Sequence, residues 1–165
     1  MNDNISINIR SIKAFTNLSD SAIENIQNNF EILQFSIGQP ICKTKIIPNK
    51  VLIILSGEAR FLYEDKLNSQ TLARLGSSQF IGLASILNAK GCESISASSN
   101  VITLALPESL ILKLYKEELS FKNWCDSTQF LGDICDIGSQ IYNNINTTLK
   151  FKEFIKILTN ESIIK

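Results

Sequence analysis

The chain has 165 residues, 44% of them hydrophobic, which is enough for one domain with a core and an additional segment. Its 16 basic and 16 acidic residues cancel, so it lacks the basic charge that drives nucleic-acid binding, and no run of like charges suggests electrostatic attachment to a membrane. It has no histidine, which is the usual general base near neutral pH, and its four cysteines show no CxxC spacing. We therefore expect no catalysis, no metal site and no cofactor.

The same features predict where the chain resides. No stretch of about 20 apolar residues is free of charge, so we expect no transmembrane helix and no insertion into a membrane. The N-terminus does not resemble a signal peptide. We therefore expect a cytoplasmic chain with free thiols.

At the N-terminus, the pattern predicts a lead-in followed by a helix. Residues 1–14 are mostly polar, and we predict a loose lead-in there. Ser19 and Asp20 are typical of a helix start, and apolar residues recur at helical spacing from Ala22 to Ile32 and Leu33.

After Gln34 the apolar residues fall into short segments separated by turn residues. Such a pattern is typical of an antiparallel barrel or sandwich. A helical segment over residues 81–87 interrupts it. We predict a mainly β fold with flanking helices, specifically a double-stranded β-helix or jelly-roll barrel of about eight strands. The predicted strands cover residues 35–37, 41–45, 51–55, 59–63, 71–75, 94–97 and 101–106.

After Pro107 the pattern is helical again. One helix is predicted over residues 108–119, and a stripe of apolar residues then recurs every three or four positions, which predicts a single helix of about 25 residues. Phe151 to Leu158 continues this helix or forms a final short one. Such a stripe needs a partner surface, either the chain's own barrel or a second copy. We interpret Asp133 and Asp136 as helix surface. The stripe comprises Leu131, Ile134, Ile137, Ile141, Ile145 and Leu149.

Five short motifs follow one another in the order seen in one known family. Residues 15–19 resemble its opening Phe-x-x-Leu-Ser, and residues 51–60 resemble its strand-Ser-Gly hairpin. With residues 35–41, 75–82 and 100–107, they resemble the cyclic-nucleotide-binding domain family. The resemblance implies a barrel domain over residues 15–120 and C-terminal helices over residues 121–165 for dimerisation or signal transmission. In related transcription factors, a long helix at this place forms the dimer interface, so it also implies Leu131, Ile134, Ile137, Ile141 and Ile145 as interface candidates.

The phosphate-binding cassette of that family carries the pattern Phe-Gly-Glu-x-Ala-Leu-Leu and, further on, Arg-x-Ala. In this family, backbone N–H groups and an Arg bind the cyclic phosphate, and the Glu accepts a ribose hydroxyl. Here Leu83 stands at the Glu position, the Arg position falls at or near Gly91, and Glu93 would oppose an anion. The resemblance therefore implies a degenerate cassette. Its candidate ligand-binding residues are Gly82, Leu83, Ala84, Ser85, Lys90, Gly91 and Ser94.

Three functions remain open at this stage. The first is a non-catalytic regulatory module that does not bind cyclic AMP or cyclic GMP in the usual way and acts on a partner domain or protein through its C-terminal helices. The second is a sensor of a small anion or cyclic nucleotide that uses the start of the cassette helix and Lys90. The third, by analogy, is the N-terminal regulatory part of a cyanobacterial peptidase-containing ABC exporter. A DNA-binding domain would need more residues than follow the barrel.

Overall fold

The computed structural model of the chain describes residues 7–64 and 69–163, the last four of these by their backbone alone. Two 3₁₀ turns, Ile9–Ser11 and Lys13–Phe15, precede helix α1, Asp20–Asn29. Ser19 begins α1 as predicted, because its hydroxyl oxygen accepts a hydrogen bond from the backbone N–H of Ala22 at 3.2 Å. The lead-in prediction is wrong for residues 9–14, since Ile9, Ile12 and Ala14 are buried in the core, and residues 1–6 lie outside the described part.

The β structure consists of two four-stranded antiparallel sheets, which confirms the mainly β fold with flanking helices. The first sheet has the order β1-β8-β3-β6 and the second has the order β2-β7-β4-β5. The strands are β1 (Glu31–Phe35), β2 (Pro40–Cys42), β3 (Lys50–Ser56), β4 (Ala59–Glu64), β5 (Ser69–Leu75), β6 (Phe80–Ile81), β7 (Ile95–Ala97) and β8 (Val101–Pro107).

The helices are α1, α2 (Leu83–Leu87), α3 (Glu108–Glu117), α4 (Leu119–Ser127), α5 (Leu131–Asn144) and α6 (Phe151–Ile163). Alternate residues of β3 and β8 belong to two different cores. Leu52 and Ala105 face the second sheet, while Val51 and Leu104 pack with the N-terminal turns and with α1, α3 and α4. The first sheet is therefore buried on both faces, and it holds the helices against the jelly roll.

Two predicted helices differ from the observed ones. Helix α1 ends at Asn29, and Ile32 and Leu33 belong to β1, where they pair with Leu104 and Thr103 of β8. The spacing of Ile32 and Leu33 is compatible with a helix or a strand, and they form a strand because they pair with β8, which is distant in sequence.

The prediction of a single long C-terminal helix is also wrong. Helix α5 ends at Asn144, and α6 contacts it after a short loop. The ring of Tyr142 contacts Phe151 and Phe154 of α6, and Phe151 stacks on Tyr63 of β4 with ring centroids 3.8 Å apart. These contacts anchor α6 on the second sheet, so the chain turns back instead of continuing outward. Among the described helices, none has the length and apolar character required to cross a membrane.

Candidate functional site

The cassette, residues 80–94, consists of β6, α2 and the segment leading to β7. Gly82 precedes α2 with φ of +85°, a left-handed conformation that favours glycine. A Cβ atom at Gly82 would lie 2.9 Å from Cγ of Pro48 and 3.2 Å from the backbone oxygen of Lys50. Both the backbone conformation and this close approach require glycine here, so the turn that begins the cassette helix is retained.

The carboxylate of Glu93 occupies the start of this helix. Its Oε1 accepts a hydrogen bond from the backbone N–H of Gly82 at 3.1 Å, and its Oε2 accepts one from the backbone N–H of Ser85 at 3.2 Å. The Ser85 hydroxyl also donates to Oε2, at 2.8 Å. Glu93 is 5% exposed. The N–H groups that would face an external anion are therefore bonded to an acidic side chain of the chain itself.

Burial and hydrogen bonding act on Glu93 in opposite directions. Burial raises the pKa of the Glu93 carboxyl because the charged form loses its hydration, and the negative charge of Asp133 adds to the rise. The hydrogen bonds from Ser85 and Gly82 lower the pKa, because they stabilise the charged form. Two of the three donors are backbone N–H groups that can only donate, so both carboxyl oxygens act as acceptors, as in an ionised carboxylate.

The remaining candidates on α2 serve packing. Leu83 is 1% exposed and belongs to the core formed with α1, α3 and α4. Ala84 lies under α5, where a Cβ atom at Gly132 would come within 3.1 Å of its Cβ. The Ser85 hydroxyl donates to Glu93 and accepts a hydrogen bond from the backbone N–H of Cys92 at 3.2 Å, so it is already engaged within the fold.

Lys90 and Gly91 lie outside this cluster of bonded groups. The Lys90 ammonium binds both carboxylate oxygens of Asp136 on α5, at 2.6 and 2.7 Å. A Cβ atom at Gly91 would lie 2.3 Å from the backbone nitrogen of Ile46, so Gly91 permits the close approach of two backbone segments. Asp133 and Asp136 lie half-buried on the surface of α5, where Asp133 accepts a hydrogen bond from the Asn88 amide.

Ser94 points to the opposite side of the strand from Glu93. Its hydroxyl donates to Oε1 of Glu64 at 2.8 Å, whereas Ile95 and Ala97 face the core between the sheets. The structure thus brings together Gly82 and Ser85 with Glu93, and it places Lys90, Gly91 and Ser94 elsewhere. Glu93 was the residue missed as part of the site. The alternation of Ile95 and Ala97 with Ser94 and Ser96 could have revealed that Glu93 points inward.

A cavity of about 300 Å³ lies next to Glu93, between the barrel and the junction of α4 and α5. Phe80 lines it on the barrel side, and Trp124 and Phe130 line it on the helix side. The ring centroids of Phe80 and Trp124 are 5.1 Å apart, and those of Trp124 and Phe130 are 5.9 Å apart. The lining therefore combines these aromatic rings with one acidic side chain, Glu93, and one basic side chain, Arg74.

The predicted interface stripe divides into two groups. Leu131 and Ile134 pack against the core between the sheets, so they have a partner within the chain. Ile137, Ile141 and Ile145 are 58%, 43% and 44% exposed. Within the stripe, these three and Leu149, which is 38% exposed, remain available to cover or be covered by another surface.

The four cysteines are buried free thiols. The described residues contain no cluster of three or more histidine, cysteine or acidic side chains arranged to hold a metal ion. Burial raises the pKa of the Cys92 thiol to about 11, which keeps it in its unreactive protonated form near neutral pH.

Comparison with known proteins agrees with the fold. A family model, the cyclic nucleotide-binding domain, matches residues 32–118, more than half of the chain. The chain therefore belongs to the cyclic nucleotide-binding domain family. No curated protein sequence gives a significant match.

Solved structures with the same fold share little sequence with the chain. The catabolite activator protein of Thermus thermophilus is 18% identical with a TM-score of 0.57, and the match covers 79% of this chain and 59% of that one. A regulatory subunit of a cAMP-independent protein kinase A from Trypanosoma cruzi, bound to guanosine, is 15% identical with a TM-score of 0.56, covering 72% of this chain and 46% of that one. A cyclic nucleotide-binding-like protein from Brucella abortus is 13% identical with a TM-score of 0.58, covering 67% of this chain and 100% of that one. This chain thus spans about half of the two larger relatives.

Proposed function

We propose that this chain is a non-catalytic regulatory module in which Glu93 replaces the phosphate of a cyclic nucleotide, so that the domain does not respond to cyclic AMP or cyclic GMP. The observation that carries the proposal is the triple hydrogen bond from Gly82 N, Ser85 N and Ser85 Oγ to the buried carboxylate. A phosphate would have to displace that carboxylate from the same donors.

Charge and missing partners add to this competition. A phosphate next to Glu93 would be repelled in a buried site, where like charges interact strongly. Leu83 offers no acceptor for a ribose hydroxyl, and leaving a buried hydroxyl unpaired costs about 1–3 kcal/mol. Each 1.4 kcal/mol weakens binding about tenfold, so the combined effect amounts to several orders of magnitude.

The relatives support a domain of this fold that works without cyclic AMP. The Trypanosoma cruzi protein is described as the regulatory subunit of a cAMP-independent kinase, and its structure contains guanosine, a nucleoside without a phosphate. We infer that the present chain likewise uses the fold for regulation and not for binding a cyclic phosphate.

The partner of the module is proposed to contact the C-terminal helices. Ile137 and Ile141 on α5, with Ile145 directly after its end, form an apolar face that the described residues leave exposed, and a second copy of the chain or an attached partner would cover it. Regulation of a linked ABC exporter remains one version of this proposal, with the catalytic activity in the linked part.

The small-anion sensor has less support from the geometry. Lys90 was its source of positive charge, but the Lys90 ammonium is bound to Asp136 and lies on the outer side of α2. An anion at the start of α2 would therefore meet Glu93 and no free cation among the candidate residues.

The test is titration calorimetry of the wild-type chain with cyclic AMP and cyclic GMP, together with the variant Glu93→Ala. We expect no binding heat for the wild type up to millimolar ligand, and measurable though weak binding for Glu93→Ala because its donors are freed. A thermal melt shows whether the variant is folded. Micromolar binding by the wild type would contradict the proposal.

A further inference from the structure

The turn between β2 and β3, residues 43–47, exposes two isoleucines that are neighbours in sequence. Ile46 and Ile47 are 58% and 44% exposed, and they follow β2, an edge strand of the second sheet. Ile37, in the turn before β2, is 71% exposed. Folding leaves these apolar side chains in water, so a surface that covers them would gain the free energy of their burial.

The backbone of the β2–β3 turn is held in place. The backbone N–H of Lys45 donates to the backbone oxygen of Gly91 at 2.8 Å, and that of Ile46 donates to the backbone oxygen of Lys43 at 3.3 Å. A Cβ atom at Gly91 would lie 2.3 Å from the backbone nitrogen of Ile46, so the two segments are in direct contact. Lys45 has φ of +68°, in the left-handed region that residues other than glycine seldom adopt. The fold thus fixes the backbone of the turn and leaves its isoleucine side chains outside.

The charge around this turn is positive. No acidic residue occurs between Glu31 and Glu58, whereas the same segment contains Lys43, Lys45 and Lys50. Lys50 forms an ion pair with Glu31 at 2.5 Å. Lys43 and Lys45 are exposed, and neither forms an ion pair with another residue that the structure describes. Two lysines therefore remain available to an external anionic group.

One carboxylate lies on the same side of the molecule. Glu64 lines a groove together with Lys43 and Lys45, and its Oε1 accepts a hydrogen bond from the Ser94 hydroxyl at 2.8 Å. Two lysines and one carboxylate leave this groove with a net positive charge.

Exposed apolar side chains beside unpaired lysines fit the surface of an anionic membrane. Apolar side chains enter the boundary between headgroups and acyl chains, and lysines are attracted to the anionic headgroups. A specific protein interface buries about 800 Å² on each partner, which is more than one turn of five residues offers. A lipid surface, in contrast, takes up a few side chains of a protruding turn.

We propose that the β2–β3 turn docks the chain reversibly on an anionic lipid surface, with Ile46 and Ile47 at the acyl boundary and Lys43 and Lys45 on the headgroups. The contact needs no helix that crosses the membrane, and the described helices include none. Neither a long apolar stretch nor a run of like charges marks the turn in the sequence, so only the exposure of its side chains in the fold reveals it. Glu93 takes no part in this contact.

The test is sedimentation of the purified chain with two kinds of vesicle, phosphatidylcholine alone and phosphatidylcholine with about one-third phosphatidylserine. Each lysine near an anionic surface strengthens binding about fivefold, so we expect binding to the anionic vesicles to be at least about tenfold stronger. High salt should reduce this difference, because the Debye length falls from about 10 Å at 0.1 M to about 3 Å at 1 M.

Two double variants separate the apolar contribution from the electrostatic one. Ile46→Ser with Ile47→Ser should weaken binding to the anionic vesicles at least about tenfold, because the apolar burial is lost. Lys43→Gln with Lys45→Gln should reduce binding to the anionic vesicles to the level seen with neutral ones.

Matched controls remove the same kinds of side chain elsewhere. Leu119→Ser removes an apolar side chain that is 70% exposed at the start of α4, and Lys116→Gln removes an exposed lysine of α3. Both variants should bind the vesicles as the wild type does. A thermal melt of each variant shows whether it is folded.

Failure of this docking is distinguishable from failure of the proposed function, which is tested with cyclic nucleotides and without lipid. Equal sedimentation with both kinds of vesicle overturns the role of the two lysines and with it the proposal. No sedimentation with either kind overturns it as well, and would assign the turn to a protein partner with acidic side chains. Binding that both double variants leave unchanged would place the lipid contact elsewhere on the chain.

Discussion

In the cassette the polar groups are bonded to one another, whereas the C-terminal helices α5 and α6 leave apolar side chains uncovered. The carboxylate of Glu93 accepts hydrogen bonds from Gly82 and Ser85. Among the described residues, no buried side-chain nitrogen or oxygen lacks a hydrogen-bond partner. On α5, in contrast, Ile137 and Ile141 are 58% and 43% exposed. The cassette is thus engaged within the fold, while α5 leaves an apolar face exposed.

The two regions are joined at the start of α5. Gly132 lies against the cassette, and a Cβ atom there would approach Sγ of Cys92 and Cγ of Glu93 to 3.0 Å. Asn88 donates to Asp133, and Lys90 binds Asp136. The cassette and α5 are therefore in direct contact.

The largest expected effect comes from separating the two regions at Gly132. Gly132→Val inserts a branched side chain between α5 and the cassette, where three atoms already lie within 3.1 Å of the position of Cβ. Overpacking of this kind costs about 1–3 kcal/mol in the free energy of unfolding. Urea denaturation measures the change.

A matched glycine serves as the control for that substitution. A Cβ atom at Gly76 would meet nothing within 4 Å, so Gly76→Ala should leave the stability within about 1 kcal/mol of the wild type, in the stabilising direction. If Gly132→Val unfolds at the same urea concentration as the wild type, α5 does not pack on the cassette as described.

The strands and turns of the jelly roll could be predicted from the sequence because their signals are local. The seven predicted segments overlap seven of the strands, although β1 extends back to Glu31. The two-residue strand β6 was not predicted, and it takes Ile81 from the predicted helical segment. Helix α5 was predicted too long because its apolar period continues past Asn144. Its end depends on Tyr142 and on the stacking of Phe151 against Tyr63, which lies far away in sequence.

The site could be predicted only in part, because some of its contacts join residues that are distant in sequence. Leu83 and the lack of an arginine indicated a degenerate cassette, and Glu93 was expected to oppose an anion. The alternation around β7 indicates the side to which Glu93 points, but it does not show that the carboxylate reaches Gly82, 11 residues earlier, because that contact depends on the folded path of the chain between them. Ser94 was expected in the pocket and instead binds Glu64.

A second prediction concerns how the stability of the chain depends on pH through the buried Glu93 of the cassette. Burial raises the pKa of Glu93 above its usual value of 4.5, so the folded chain holds this proton at pH values where the unfolded chain has lost it. The stability that this group contributes is therefore fully present below about pH 4.5 and is lost as the pH rises through the folded-state pKa.

Glu93→Gln removes this titration. The free energy of unfolding of the variant, minus that of the wild type, should increase as the pH rises from about 4 to about 7. Thermal melts across this range measure the difference, with Ser94→Ala as the control, because it removes no ionisable group. A difference that stays constant with pH would show that the pKa of the Glu93 carboxyl is not raised in the folded chain.

A smaller effect is expected from the ion pair between the two regions. Lys90 and Asp136 are 54% and 29% exposed, and such pairs contribute about 0.2–1 kcal/mol. A double-mutant cycle with Lys90→Ala and Asp136→Ala should give a coupling energy in that range, and high salt should reduce it. A coupling of zero at low salt would mean that α5 is held by Gly132 and Asn88 without this pair.

The smallest change in stability is expected from substitutions at the exposed Ile137 and Ile141 of α5. The same substitutions should have the largest effect on assembly. Ile137→Lys and Ile141→Lys replace exposed side chains, so each should change the free energy of unfolding of the monomer by no more than about 0.5 kcal/mol. If a second copy covers this face, the wild type sediments as a dimer and the double variant as a monomer, because two lysines would be buried against an apolar surface. Ile134→Lys is the contrasting variant, since Ile134 packs on the chain's own core and should lose stability instead. A wild type that sediments as a monomer at all concentrations would assign the exposed isoleucines to a different partner.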